Sequence, residues 1–149
     1  MSIFDNLANG GVLIDILRVC DLIKLNFSIN EDIICLHIQS ALMRGLKGDK
    51  LLISSNDIYM PSKHYKKKLF KKFKWDIPGD SFFDDQLNNF KENILNKKVR
   101  TISILDKDLI LDFDDDYKIE ILACTLETER ELFRIFKKGD LDSHLVFET

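Results

Sequence analysis

Apolar and polar residues alternate with a period of two through the C-terminal third of the chain. Val99, Thr101 and Ser103 alternate with Arg100, Ile102 and Ile104. Leu109, Leu111 and Phe113 alternate with Ile110 and Asp112, and Tyr117, Ile119 and Ile121 with Lys118 and Glu120. Half-buried strands carry this period because successive side chains point to opposite faces of a sheet. The acidic segments Asp106-Lys107-Asp108 and Asp114-Asp115-Asp116 separate the runs, which predicts an antiparallel meander. Two earlier strands are predicted over about 33–40 and 50–55. The stretch between them, with Arg44, Gly45 and Gly48, reads as a loop, and Asn56-Asp57 and Pro61 close the unit. Glu127 to Phe136 fits a helix or a strand equally well on pattern alone.

Elsewhere the spacing is helical. Leu13, Ile14, Leu17, Val19-Cys20 and Ile23 follow the Gly10-Gly11 break, with Asp15, Arg18 and Asp21 on the other side, which predicts a helix over 12–24. Ile3, Phe4 and Leu7 suggest a short turn before it, Leu25 to Ser28 the start of a strand, and Asn30-Glu31-Asp32 a turn. Phe82-Phe83, Leu87, Phe90 and Ile94-Leu95 predict a helix over 82–96. Asp84-Asp85 in its first turn and Lys97-Lys98 at its end suit the helix dipole. Asp76-Ile77-Pro78-Gly79-Asp80 is a breaker, and no internal repeat is visible. The expected class is α+β: an antiparallel β-meander sheet of five to seven strands, packed on one face by the N-terminal and central helices. Leu36, Ile38, Leu111, Phe113, Ile119, Ile121 and Phe147 are the expected buried positions.

Composition narrows the class further. A chain of 149 residues suits one domain, 1–149, and a chain near that size buries roughly 68–70% of its unfolded surface. With 45% apolar residues and 11 Phe it fills a core without disulfides or metal. Charge is abundant but balanced at a net −3, whereas nucleic-acid binders are more often basic. Cys20, Cys35 and Cys124 lack paired spacing and sit in apolar runs, so they read as small buried hydrophobes in a reducing compartment. The start of the chain has no basic segment, and Asp15, Arg18, Asp21 and Lys24 interrupt its most apolar stretch. Neither a signal peptide nor a membrane span is expected, and the cytoplasm is the expected location.

Candidate chemistry is sparse. His37, His64 and His144 are far apart in sequence and none has ligand spacing, so a metal or Cys–His pair would need the fold to gather them. Gly10-Gly11 is too short for a phosphate loop, and Asp112 to Asp116 lack the spacing and closing Glu of a calcium loop. No catalytic residue, metal or cofactor is assigned. Lys63 to Lys74 holds 7 Lys interleaved with Tyr65, Leu69, Phe70 and Phe73, followed by Trp75. It reads as a short helix whose apolar side faces the core, or as a nucleic-acid strand site built on phosphate contacts and stacking.

Two regions look like a family. Leu36-His37-Ile38-Gln39, then Arg44, a hydrophobic strand, Ser55-Asn56-Asp57-Ile58-Tyr59 and Pro61 form the first. Asp108 to Phe113, Asp116 to Ile121, Glu129 to Phe136 and His144 to Phe147 form the second. Together they resemble a group of small bacterial proteins, many of them similar to immunity proteins of polymorphic or contact-dependent toxin systems. The chain departs from the group at Leu42-Met43, where a Pro-Trp-like pair is frequent, and at Leu132-Phe133, where a Trp is usual. The resemblance implies a strand over Leu132 to Phe136, returning through Gly139-Asp140 to a last strand at Leu145 to Phe147. It also implies a cytoplasmic protein that binds and neutralises a cognate toxin domain, for which a nuclease effector is the expectation. A basic nuclease cleft would suit Asp106, Asp108, Asp112, Asp114, Asp115 and Asp116, the expected partner-binding residues. The alternative is a nucleic-acid-binding protein or an enzyme using Lys63–Lys74 or the histidines. Neither membrane nor nucleic acid is the expected partner, and the sequence does not specify an oligomeric state.

Overall fold

The computed structural model describes residues 2–64, 72–140 and 144–149. A short helix α1 (Ile3–Ala8) leads into five strands: β1 (Val12–Val19), β2 (Leu22–Ile29), β3 (Asp32–Ile38), β4 (Ala41–Lys47) and β5 (Lys50–Ser54). A one-turn 3-10 segment, Ser55–Tyr59, follows, and then α2 (Phe82–Ile94). Five more strands follow among the described residues: β6 (Val99–Leu105), β7 (Asp108–Phe113), β8 (Tyr117–Ala123), β9 (Glu131–Lys137) and β10 (Leu145–Glu148). They form two five-stranded antiparallel sheets, ordered β1-β2-β3-β9-β10 and β5-β4-β8-β7-β6. The α+β class therefore holds, with two sheets in place of one.

The inner faces of both sheets share one core. Ile23, Leu25 and Phe27 of β2 and Leu36 and Ile38 of β3 meet Leu109, Leu111, Phe113, Ile119 and Ile121 of the other sheet. Phe27 and Phe113 stack across the interface with ring centroids 6.4 Å apart. The chain changes sheets between β3 and β4 with only Gln39 and Ser40 between them. Their backbone N–H groups donate to the Leu132 and Glu131 carbonyls at 2.9 and 3.1 Å, so the kink leaves neither donor unpaired. β8 and β9 make the same change in the opposite direction.

The topology is repeated although the sequence shows no repeat. Each half runs helix, three antiparallel strands in one sheet, then two in the other: α1 with β1–β5, and α2 with β6–β10. Each helix packs beside the first strand of the opposite half. Helix α2 lies along β1 and β5, with Lys91 paired to Asp15 at 2.9 Å. Helix α1 lies on β6 and places Phe4 edge-on against Phe147 of β10 at 5.8 Å.

Several expectations need correction. Residues 12–24 are not a helix: they form β1 and the start of β2 around a turn at Cys20-Asp21, where Cys20 has a φ of 54°. A bulge between Leu13 and Asp15 shifts the alternation, so the buried residues are Leu13, Ile16 and Arg18, and that spacing imitates a helical one. The stretch read as a loop around Arg44 and Gly45 is the inner strand β4. Gly45 belongs there because a Cβ would lie 2.5 Å from both the Phe90 ring and Ile53 Cγ2. Helix α2 ends at Ile94, short of 96. Leu36, Ile38, Leu111, Phe113, Ile119 and Ile121 are buried as expected, whereas Phe147 is half-buried, stacked on Phe133 at 4.5 Å. The meander β6–β8 and the strands β9 and β10 agree with the sequence reading.

Candidate binding surface

The N-terminus of α2 organises one end of the molecule. Ser81 caps the helix reciprocally with Asp84, which leaves the rest of the Asp84 carboxylate free to bind elsewhere. Arg18 occupies it as a two-pronged clamp: Nε donates to Oδ1 at 2.9 Å and Nη2 to Oδ2 at 2.6 Å. The remaining guanidinium N–H groups donate to the carbonyls of Cys20 and Trp75, both at 2.8 Å, and of Ile77 at 3.1 Å. Arg18 is 8% exposed, and every one of its donors has an acceptor. Burial pushes the Asp84 carboxyl up, but the Arg18 fork and the Ser81 and Gly79 N–H groups outweigh it and hold the carboxyl below its usual range.

The next two residues fasten the neighbouring segments. Asp85 accepts from Ser62 Oγ at 2.8 Å and from the Lys63 N–H at 3.0 Å. The Gln86 amide bridges the Ser54 N–H, at 3.2 Å, and the Asp57 carboxylate, at 2.7 Å. Asp84, Asp85 and Gln86 thus pin the β1–β2 turn, the 54–63 segment and the 74–80 segment to one helix end.

These clamps display an apolar patch. Tyr59 (54% exposed), Met60 (52%), Trp75 (37%) and Ile77 (43%) all lie open to solvent. Tyr59 and Trp75 meet edge to face at 5.3 Å, and the Tyr59 hydroxyl donates to Asp21 at 3.3 Å. Burial and then the Asp21 charge raise the Tyr59 phenol, keeping it a neutral donor. Beside Tyr59 opens a cleft of about 240 Å³ at the point where the chain changes sheets. Asp21, Gln39, Ser40, Asn56, Tyr59 and Arg130 supply its polar walls, with Arg130 Nε donating to Ser40 Oγ at 3.2 Å.

The six aspartates picked out in the sequence do not form one group: five divide between two ends of the sheet and Asp112 lies between them. They run along β7, a strand of six residues that spans roughly 20 Å, and its two turns. Asp106 and Asp108 lie at the cleft end: Asp108 Oδ1 accepts the Ala123 N–H at 2.8 Å, and the adjacent Cys124 lines the cleft. Asp114, Asp115 and Asp116 lie at the opposite end, already engaged by their own chain. Asp114 pairs with Arg100, Asp115 with Lys97 at 2.5 Å, and the Asp116 carbonyl accepts the Gly48 N–H at 2.9 Å. Hydrogen bonding by Lys97 holds the Asp115 carboxyl below its usual range. Asp112 accepts from Thr101 Oγ1 at 2.9 Å on the outer face.

The histidines divide similarly. His37 and His144 flank the Phe136 ring, at 4.9 and 4.1 Å, and His144 Nδ1 lies 3.2 Å from Arg134 Nη1. Burial, reinforced by Lys24, Arg134 and His144, lowers the His37 pKa. His64 lies elsewhere, in the groove beside Asp85. Among the described residues no three His, Cys, Asp or Glu side chains gather as a metal site. Cys35 is buried, and burial raises its thiol, whereas Cys20 and Cys124 are exposed, contrary to the reading of all three as core residues. Of the Lys63–Lys74 block, residues 65–71 lie outside the described residues, so Tyr65, Leu69 and Phe70 do too.

The pairing of Arg18 with Asp84 escaped the sequence reading because a lone Arg in an expected helix reads as a solvated face, and Asp84 reads as a first-turn charge suited to the helix dipole. Tyr59 was within reach, inside Ser55 to Tyr59. Trp75, the sole Trp, stands beside the Pro78-Gly79 breaker. No helix of the described residues is long and apolar enough to cross a membrane. No protein-family model, curated protein or solved structure matches this chain.

Proposed function

We propose that this chain is a protein-binding protein of the cytoplasm, and that it neutralises a cognate toxin domain by covering it with the end face built around Tyr59 and Trp75. The observation that carries the reading is the exposed Tyr59-Met60-Trp75-Ile77 patch, fixed on backbone that the buried Arg18–Asp84 pair holds. Aromatic residues and Met are enriched at protein interfaces, and rigid aromatic anchors carry most of the affinity there. The toxin partner rests on the resemblance: Gln39 of the Leu36–Gln39 motif and Ser55, Asn56 and Tyr59 of the Ser55–Tyr59 motif line the same cleft. Asp106 and Asp108, at that end, suit a basic effector and would speed its association.

The test is to identify a toxin effector domain encoded beside this chain's gene and co-express the two. Restored growth and a co-purifying complex are the expected result, and a Tyr59→Ala/Trp75→Ala double variant that folds should lose both. A folded chain that neither rescues growth nor forms a complex overturns the reading. A single-stranded nucleic acid is the second reading, because Lys63, Lys72 and Lys74 neighbour the Tyr59–Trp75 pair in sequence. Salt-sensitive quenching of Trp75 by an oligonucleotide would favour it instead.

A further inference from the structure

The repeated topology leaves its two halves unequally protected. Edge strand β1 is flanked by the 13-residue helix α2, whose Asp84 and Lys91 bind Arg18 and Asp15 of that strand. Edge strand β6 receives only the six-residue α1, which at 1.5 Å per residue spans about 9 Å of a strand roughly 23 Å long. The cover reaches the beginning of β6, where the Val99 N–H donates to the Gly11 carbonyl at 2.8 Å. From Thr101 onward the outer edge has no neighbour among the described residues, and Ile104 and Leu105 are 43% and 64% exposed. Natural edge strands carry Lys, Pro, bulges or a covering element; β6 has a bulge at Arg100, between Val99 and Thr101, but Thr101-Ile102-Ser103-Ile104-Leu105 beyond it carries none of these.

The strand is also complementary to itself. The two-residue turn Asp106-Lys107 makes Leu105 and Asp108 a hydrogen-bonded pair, so Ser103 opposite Ile110 and Thr101 opposite Asp112 are hydrogen-bonded as well. The N–H and C=O groups of Ile102 and Ile104 therefore point outward, towards the open edge. We propose that β6 pairs antiparallel with β6 of a second copy of this chain about a two-fold axis at Ser103, joining two five-stranded sheets into one of ten strands.

In that register Ser103 faces Ser103, Ile102 faces Ile104 and Thr101 faces Leu105 of the other copy. The outward backbone groups of Ile102 and Ile104 are satisfied in full. Just beyond the paired residues, Arg100 in the bulge of one copy and Asp106 in the turn of the other come to the same end with complementary charge. Asp114 engages only Nε of Arg100, so its terminal nitrogens remain available for Asp106 of the other copy. A shift by two residues either way sets Arg100 against Ile104 or Asp106 against Ile102 and loses the charge match. The pairing is isologous and closed, so it ends at a dimer rather than a fibre.

The test begins with the full chain carrying Cys20→Ser and Cys124→Ser, which removes the exposed thiols. Ser103→Cys is then added, because facing residues in a non-hydrogen-bonded antiparallel pair have Cα atoms about 4.5 Å apart, within disulfide range. Mild oxidation should convert most of this variant to a covalent dimer, while Thr101→Cys, which faces Leu105, cross-links at least tenfold more slowly. Sedimentation equilibrium of the wild-type chain should give a dimer. Ile104→Pro removes an outward N–H that β7 does not use, and should give a monomer with an unchanged circular dichroism spectrum. A wild-type chain that is monomeric at several hundred micromolar overturns the proposal. So does equal cross-linking at Ser103→Cys and Thr101→Cys, even if Ile104→Pro fails to fold.

Discussion

Replacing Arg18 by Ala removes the cation paired with Asp84 and three backbone clamps at a stroke. The Asp84 side chain is 12% exposed, so it cannot simply turn to bulk water for compensation. Breaking a buried, hydrogen-bonded ion pair from one side costs about 3–5 kcal/mol, because the remaining charge stays desolvated. The carbonyls of Trp75 and Ile77 belong to exposed residues and recover water, which keeps the loss within that range. A urea titration should therefore lose about 2 M in midpoint, for an m-value of about 2 kcal/mol/M. The sole Trp supplies a second readout: with its carbonyl released, Trp75 should leave Tyr59 and shift its emission to the red. Arg18→Lys, a point charge without the fork, should fall between the two. The pair also has a pH signature. The folded Asp84 carboxyl lies below its unfolded value, so its contribution is complete above about pH 4 and is lost as pH falls further. Arg18→Ala should abolish that acid limb. A loss under about 1 kcal/mol with unchanged Trp75 emission would refute the view that this pair holds the patch in place.

Gly45→Ala should destabilise the protein by about 1–3 kcal/mol, since its Cβ meets Phe90 and Ile53 at 2.5 Å; a thermal melt of Gly45→Ala/Phe90→Leu should recover part of it. His37 has a lowered pKa in the folded state, chiefly from burial, so below about pH 6.5 the unfolded chain binds the extra proton first and stability falls with pH. Denaturant midpoints of His37→Gln should show a shallower slope between about pH 6.5 and 5 than those of the native chain.

The meander from Val99 to Ala123 was legible because β7 and β8 bury one face and the three strands connect through tight turns, so period two survives in the sequence. β1 was illegible for a specific reason: its bulge moves the inward set from Leu13 to Ile16, and its third inward residue is an arginine. β4 was hidden by Gly45, whose place depends on a ring delivered from α2, 45 residues on. The second sheet follows from the same two misreadings, since β1 and β4 supply an edge and an interior strand. The binding surface was least legible of all. Its apolar members come from the 55–60 and 74–77 segments, and what unites them is an ion pair between residues 66 positions apart. The aspartates, by contrast, crowd in sequence and divide in space because β7 separates their turns.

The most direct test of the account is the affinity of the proposed toxin partner for the wild-type chain and for Trp75→Ala, measured by titration calorimetry. An anchor residue contributes at least about 2 kcal/mol, so the folded variant should bind about thirtyfold more weakly. Asp114→Lys/Asp116→Lys, at the far end of β7, should bind within twofold of wild type. Undiminished binding by Trp75→Ala, together with binding lost in Asp114→Lys/Asp116→Lys, would contradict the account and move the interface to the acidic turn.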